Sequence, residues 1–391
     1  MIQKRTLTGA VILAALSLSV AVALYRTPYR EAYAIASGVA DFSELSTRFS
    51  SLAQKKGAIY AFEILRRADL PKNTDLHLLG HVVGDELFKQ QGVDGIADCT
   101  QEFRNACSHS LVIGALNAFG ASGATLESID DACHKAPGGK GAYTMCYHGL
   151  GHGVFAYFGY DLSKTVSFCK QMGTAEYEEE QYTQCVGGAI MELMGGGGHD
   201  RSAWLVAREK YLADDPLSPC LDSVIPDRAR SYCLMYLTPE LLVRAGADLA
   251  NPSPDFFPKA FRFCDAISQD LIRYRHSCFG GFGKEFVPLA GARDIRTVDS
   301  YTDEEYTTAG RWCALSPVQD GAQYCIREAL QSVFWGGEND PGASFRFCSS
   351  APESLRDSCY DELAQVIKQS LPERSDLCAM LPKENEQTCV S

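Results

Sequence analysis

Residues 146–153 read CYHGLGHG and residues 77–81 read HLLGH. Each stretch sets two histidines four positions apart, with a glycine directly before the second, in a chain that has only eight histidines. Side chains at i and i+4 share one face of a helix, so each pair can offer two imidazoles to one ligand, and neutral imidazole is the commonest metal ligand. A third segment, ACSHSLVIGALNAFG, places His109 two residues after Cys107, just as His148 stands two after Cys146. Aligned on that cysteine, DLHLLGHVVGDELF (75–88) fits the same frame with Asp75 in the cysteine position. His77, His109 and His148 then share one register, and His81 and His152 share another. Later repeats hold Gly187, Met191, Met235, Gly280 and Arg327 at these positions, so the scaffold does not demand imidazole there. We therefore expect His77, His81, His148 and His152 to be metal ligands, with His109 as a fifth. The competing reading makes them packing histidines bonded to backbone.

An all-nitrogen set suits zinc, copper, iron or nickel. Iron or copper is favoured, zinc is possible, and bis-histidine haem stays open. Neither histidine pair contains the glutamate of HExxH, so a zinc protease lacks its general base. Asp85, Glu86 and Glu192 are candidate added carboxylates, Asp85 because His77, His81 and Asp85 fall at i, i+4 and i+8. His199, in MGGGGHD, and His134 are optional ligands, and His276 reads as a surface residue. The glycine run lacks the Lys-Ser/Thr of a phosphate loop. GxSxG and a dinucleotide fingerprint are both absent.

The elements that must carry these residues announce themselves through cysteine. There are sixteen, with no CxxC, which leaves zinc ribbons and thioredoxin-like chemistry without a basis. Paired in order they give 99–107, 133–146, 169–185, 220–233, 264–278, 313–325, 348–359 and 378–389. An even set with such spacings predicts local disulfides in an oxidising compartment. Most second cysteines open an apolar run of about three helical turns, and they recur every 30–48 residues. That period marks helical hairpins burying one another's apolar faces. Each disulfide is expected to tie a first helix to the start of a second, stabilising the hairpin by about 3 kcal/mol in the chain-entropy model. Arginine recurs three before the second cysteine (Arg104, Arg230, Arg275, Arg356) and glutamate seven after it (Glu192, Glu240, Glu285). The expected fold is all-α: irregular helical-hairpin repeats, as a solenoid or a wrapped bundle, after one N-terminal transmembrane helix.

Packed helices lie ~8–10 Å apart, so neighbouring repeats can share a metal, whereas the first and third of a flat stack would stand ~20 Å apart. One site therefore needs the repeats to wrap. A flat stack would give two sites, each completed by His109 or a carboxylate. Gly80, Gly149, Gly151 and Gly153 favour close helix approach.

Lys4 and Arg5 precede a charge-free run from Leu7 to Tyr25, close to the roughly 20 residues that cross a bilayer. We expect residues 1–25 to be a signal anchor rather than a cleaved signal peptide. Residues 26–45 are expected as a juxtamembrane linker, 46–165 as the histidine-rich repeats and 166–391 as further stapled repeats. A net charge of −13 argues against a nucleic-acid partner and against an electrostatic hold on anionic lipid. The sequence thus points to a membrane-anchored exported metalloprotein facing the periplasm or cell exterior, in its sharper form an oxidase or oxygenase. Its rivals are a helical scaffold with a protein partner on its surface, and a metal or electron carrier without turnover.

Overall fold

The computed structural model describes residues 28–39, 41–100, 102–137, 139–171, 180–195, 200–212, 214–296, 298–336 and 341–390. Among them all regular structure is helical and no strand occurs. Eight long helices form a continuous inner row: α1 (Leu76–Gln91), α2 (Glu102–Phe119), α3 (Gly139–Tyr157), α4 (Glu180–Gly195), α5 (Asp227–Ala245), α6 (Ile272–Ala290), α7 (Gln319–Gly336) and α8 (Glu353–Ser370), each packed on the next. Shorter helices such as Leu162–Cys169, Asp303–Cys313 and Pro341–Ser350 precede inner helices and pack against the one that follows.

All eight disulfides join consecutive cysteines, as the spacing predicts. Seven place their second cysteine one to two turns inside an inner helix, from Cys107 in α2 to Cys359 in α8. The helix α1 carries no staple, and it starts at the position the others give to cysteine. There the Asp75 carboxylate accepts the Leu78 N–H at 3.0 Å, satisfying a donor that the first turn leaves unpaired.

The recurrent arginine has a structural task. Arg230 donates to the Ile225 carbonyl at 3.1 Å, Arg275 to those of Cys264 and Asp265 at 3.3 and 2.5 Å, and Arg356 to that of Ala351 at 3.2 Å. Each reaches carbonyls at the turn into its inner helix, where helix ends leave acceptors unpaired. Arg275 is the most enclosed, at 2% exposure. Arg275→Met should cost about 2–4 kcal/mol, because several buried acceptors lose their donor together. A shift in the urea midpoint with an unchanged slope would report it, and an unchanged midpoint would refute this role.

The buried apolar side chains form two clusters, one running from Ala32 to Phe168 and one from Phe155 to Cys389, which share α3. Residues 28–45 are not a linker as expected but part of the fold. Residues 28–36 are helical, Ala32 and Leu45 are buried, and Glu31 bonds the Lys56 ammonium at 2.6 Å and the Tyr60 hydroxyl at 2.6 Å. The segment lies before the first cysteine, so the cysteine frame that marks the other helices does not reach it.

The row curves back on itself. Beyond α6, Arg296 donates to the carbonyls of Leu65 and Ala68 at 2.9 and 2.7 Å, and the Asn73 amide donates to the Ala250 carbonyl at 2.9 Å. No helix among the described residues is long and apolar enough to cross a membrane, and the expected anchor at 7–25 lies outside them.

Candidate metal centre

Three inner helices bring the five aligned histidines together. The approach depends on small residues at the helix contacts. A Cβ at Gly80 would lie 2.8 Å from the Ala106 Cβ, one at Gly84 2.6 Å from the Ser110 Cβ, and one at Gly149 2.7 Å from the His109 Cα. The contact of α3 with α4 is closer still. A Cβ at Gly151 would meet the Cys185 carbonyl, and a Cβ at Gly188 would meet the carbonyl of His148.

His109, on the central helix α2, stands in the middle. Its ring centroid is 5.6 Å from that of His77, 5.8 Å from His81, 5.3 Å from His148 and 5.5 Å from His152. His77 and His81 lie 6.3 and 6.2 Å from His152 across it. Ligand nitrogens of His77, His81 and His109 all fall within 4.8 Å of one another. His148 closes the far end of the group, 5.1 Å from His152 and 5.0 Å from the Tyr236 ring. The sequence ranked His109 fifth, but its place in the structure is central.

Acceptor-only partners fix the tautomer of His77 and of His152. The Nδ1 of His77 lies 2.7 Å from the Phe103 carbonyl. A carbonyl only accepts, so this Nδ1 donates and Nε2 keeps its lone pair. The Ser110 hydroxyl lies 3.0 Å from the carbonyl of His81 and 2.9 Å from its Nδ1, and so anchors that side of the ring. In His152, Nδ1 donates to the Glu192 carboxylate at 3.0 Å. Its buried Nε2 has no hydrogen-bond partner, and neither nitrogen of His109 has one. The Nδ1 of His148 is also without one, although the Gln184 side chain lies close enough to favour the protonated ring. Burial first, then repulsion between neighbouring rings, holds the pKa of His109 and of His148 well below the ordinary range. His77 is pushed down to about 4, mainly by burial, against a smaller upward pull from its backbone hydrogen bond.

The consequence is chemical. The Nε2 atoms of His77 and His81 face each other at 3.2 Å, and that of His77 carries a lone pair. The same spacing suits one ion held between the two nitrogens. Nitrogens held ~2.0–2.1 Å from one ion would stand about 2.9–3.4 Å apart, for octahedral or tetrahedral angles respectively. The outer contacts complete the pattern, since metal-binding imidazoles ordinarily donate their second N–H to a carboxylate, carbonyl or hydroxyl.

The other sequence candidates fall elsewhere. Glu192 supports His152 from behind, and Glu86 bonds Ser50, Gln54 and Lys89. Asp85 is exposed. His134 is half exposed beside Asp130 and Tyr143, and His276 stacks on Tyr324 at 3.6 Å. His199 lies outside the described residues.

Sequence reasoning missed a cavity of about 680 Å³ that adjoins the cluster, with His109 and His148 in its wall. Residues from α2 through α8 line it. Met191, Lys284 and Gln331 there stand in the register of His152, six after the second cysteine, so the alignment already held a signal for these inward positions. Met191 brings its sulfur to 3.4 Å from the Nε2 of His148. The geometry thus defines an all-helical, disulfide-stapled chain with a buried imidazole cluster beside a cavity. No protein-family model matches the chain, and neither the curated proteins nor the solved structures contain a match to it.

Proposed function

We propose that this chain is an exported metalloprotein that binds a transition metal through His77, His81, His109 and His152, with His148 at the cavity side. The convergence of ligand nitrogens from His77, His81 and His109 within 4.8 Å of one another carries the reading. The rings pack within about 5–6 Å of one another, which favours a bare ion over a porphyrin. Imidazole alone suits iron, copper or zinc, and the Met191 thioether beside His148 adds a soft donor that favours copper. Placement of His109 and His148 in a cavity wall supports a redox enzyme of the oxidase or oxygenase kind over a carrier without turnover. Eight disulfides suit an oxidising compartment, reached through the anchor proposed at residues 7–25.

Elemental analysis of freshly purified full-length protein tests the assignment. Near-stoichiometric iron or copper is expected, with a melting temperature that falls on chelation and recovers when the ion returns. Protein that holds no metal and takes up none from added iron, copper or zinc would leave these as packing histidines and favour the scaffold.

A further inference from the structure

Five charged residues line the cavity: Glu102, Arg104, Glu180, Lys284 and Glu328. Three are engaged elsewhere. Glu102 pairs with Arg66, Lys284 bonds the Glu285 carboxylate at 2.5 Å and lies over the Tyr236 ring, and Glu180 is also partnered. Arg104 and Glu328 make no hydrogen bond or ion pair among the described residues.

Arg104 is anomalous against the repeat. At the register of Arg104, the arginines of later repeats reach carbonyls at the turn before their helix, as Arg230, Arg275 and Arg356 do. Arg104 makes no such contact. It sits on three consecutive left-handed residues, Phe103, Arg104 and Asn105, with φ of 55°, 56° and 62°. Non-glycine residues pay roughly 1–2 kcal/mol each for that conformation, and such strain persists where function needs the side chain re-aimed. Here it gives the Phe103 carbonyl to His77 and sets Arg104 in the cavity wall. Glu328 projects from α7 against Gly280, where a Cβ would come within 2.5 Å of its Cγ. It is partly buried, and burial with the nearby Glu362 raises its pKa to about 7 against a smaller downward pull from Lys284. A carboxyl without a partner is costly in such a place, unless a ligand supplies the donor. Arg104 and Glu328 line the same cavity as Tyr236 and Lys284, and each acts electrostatically on both. Between and around them lie apolar walls from Phe103, Met145, Phe334 and Trp335.

We propose that the cavity binds a small peptide-like zwitterion, its carboxylate on the Arg104 guanidinium and its ammonium on the Glu328 carboxylate, with an apolar body against the aromatic wall. The volume lies in the range of small-molecule sites, roughly 300–1,000 Å³. The site stands whether or not the neighbouring histidines hold metal, and binding is therefore read by calorimetry and not by turnover.

Isothermal titration of the full-length protein with leucyl-phenylalanine, its N-acetyl form and its C-terminal amide provides the test. The free dipeptide should bind, and each blocked form should bind at least ten-fold more weakly. Arg104→Gln should erase the preference over the amide alone, and Glu328→Gln the preference over the N-acetyl form alone. Both variants should keep the metal content of the wild type, which separates failure here from failure of the metal reading. Absence of binding by all three compounds would overturn the proposal, as would selectivity that both variants leave unchanged.

Discussion

Replacing His109 by alanine is expected to remove the bound metal while leaving the metal-free protein about as stable as before. The ring lies within 6 Å, centroid to centroid, of all four other histidines, and both its nitrogens are buried without a partner. Truncating a buried ring ordinarily costs about 3–5 kcal/mol through the cavity it leaves. Against that, each buried nitrogen without a partner carries a penalty of roughly 1–3 kcal/mol that alanine removes. The two nearly cancel. In the loaded protein the ligand's contribution is lost outright, about 4 kcal/mol at a free metal concentration a thousand times the Kd. Metal analysis together with urea denaturation, with and without chelator, resolves these terms. A packing role predicts undiminished metal in the variant, with no chelator-dependent difference from wild type. His134→Ala, at a half-exposed ring outside the cluster, should change neither quantity.

The second large effect belongs to a residue with no chemistry of its own. Gly188→Val should destabilise the fold by more than about 3 kcal/mol, since overpacking a tight contact forces backbone movement. Its new Cβ would meet the backbone carbonyl of His148, and Gly151 makes the reciprocal contact with the Cys185 carbonyl. Backbone cannot step aside as a side chain can. Separating α3 from α4 would also draw Glu192 from His152, a contact of 3.0 Å. Metal affinity should therefore drop in whatever fraction folds. Gly195→Ala, near the end of α4 with nothing within 4 Å of its Cβ, is the matched control and should be neutral in thermal melts. Equal melting temperatures for Gly188→Val and wild type would refute the close-contact argument.

The sequence made the hairpins legible because cysteine marks them twice, once at each end of the covalent loop. The shared register of His77, His109 and His148 was legible for the same reason, since alignment on a fixed cysteine turns spacing into direction. Position across repeats was harder. Whether α1 and α3 could reach one another depended on Gly149 letting α3 approach His109, and a glycine's neighbour is not written beside it. Glu192 could be named as a candidate but not given its role, because a carboxylate at that register can bind an ion or hold a ligand's far side equally well. The cavity was out of reach. Tyr236, Lys284 and Glu328 share a cavity with His148 only because the row curves, and no local pattern encodes curvature summed over several repeats. Arg104 was recognised as one of a set, yet its importance lies in leaving that set, which only its backbone reveals.

The strictly sequential cysteine pairing bears on how the chain is made. Each bridge spans 8 to 16 residues and closes before the next begins. If the chain enters an oxidising compartment from its N-terminal end, every cysteine that arrives second finds one unpaired predecessor waiting, and that predecessor is its native partner. An oxidant that joins thiols in order of arrival would write all eight bridges correctly. The protein can thus be assembled without a proofreading isomerase, one hairpin at a time, with the imidazole cluster finished before the far half of the chain has emerged.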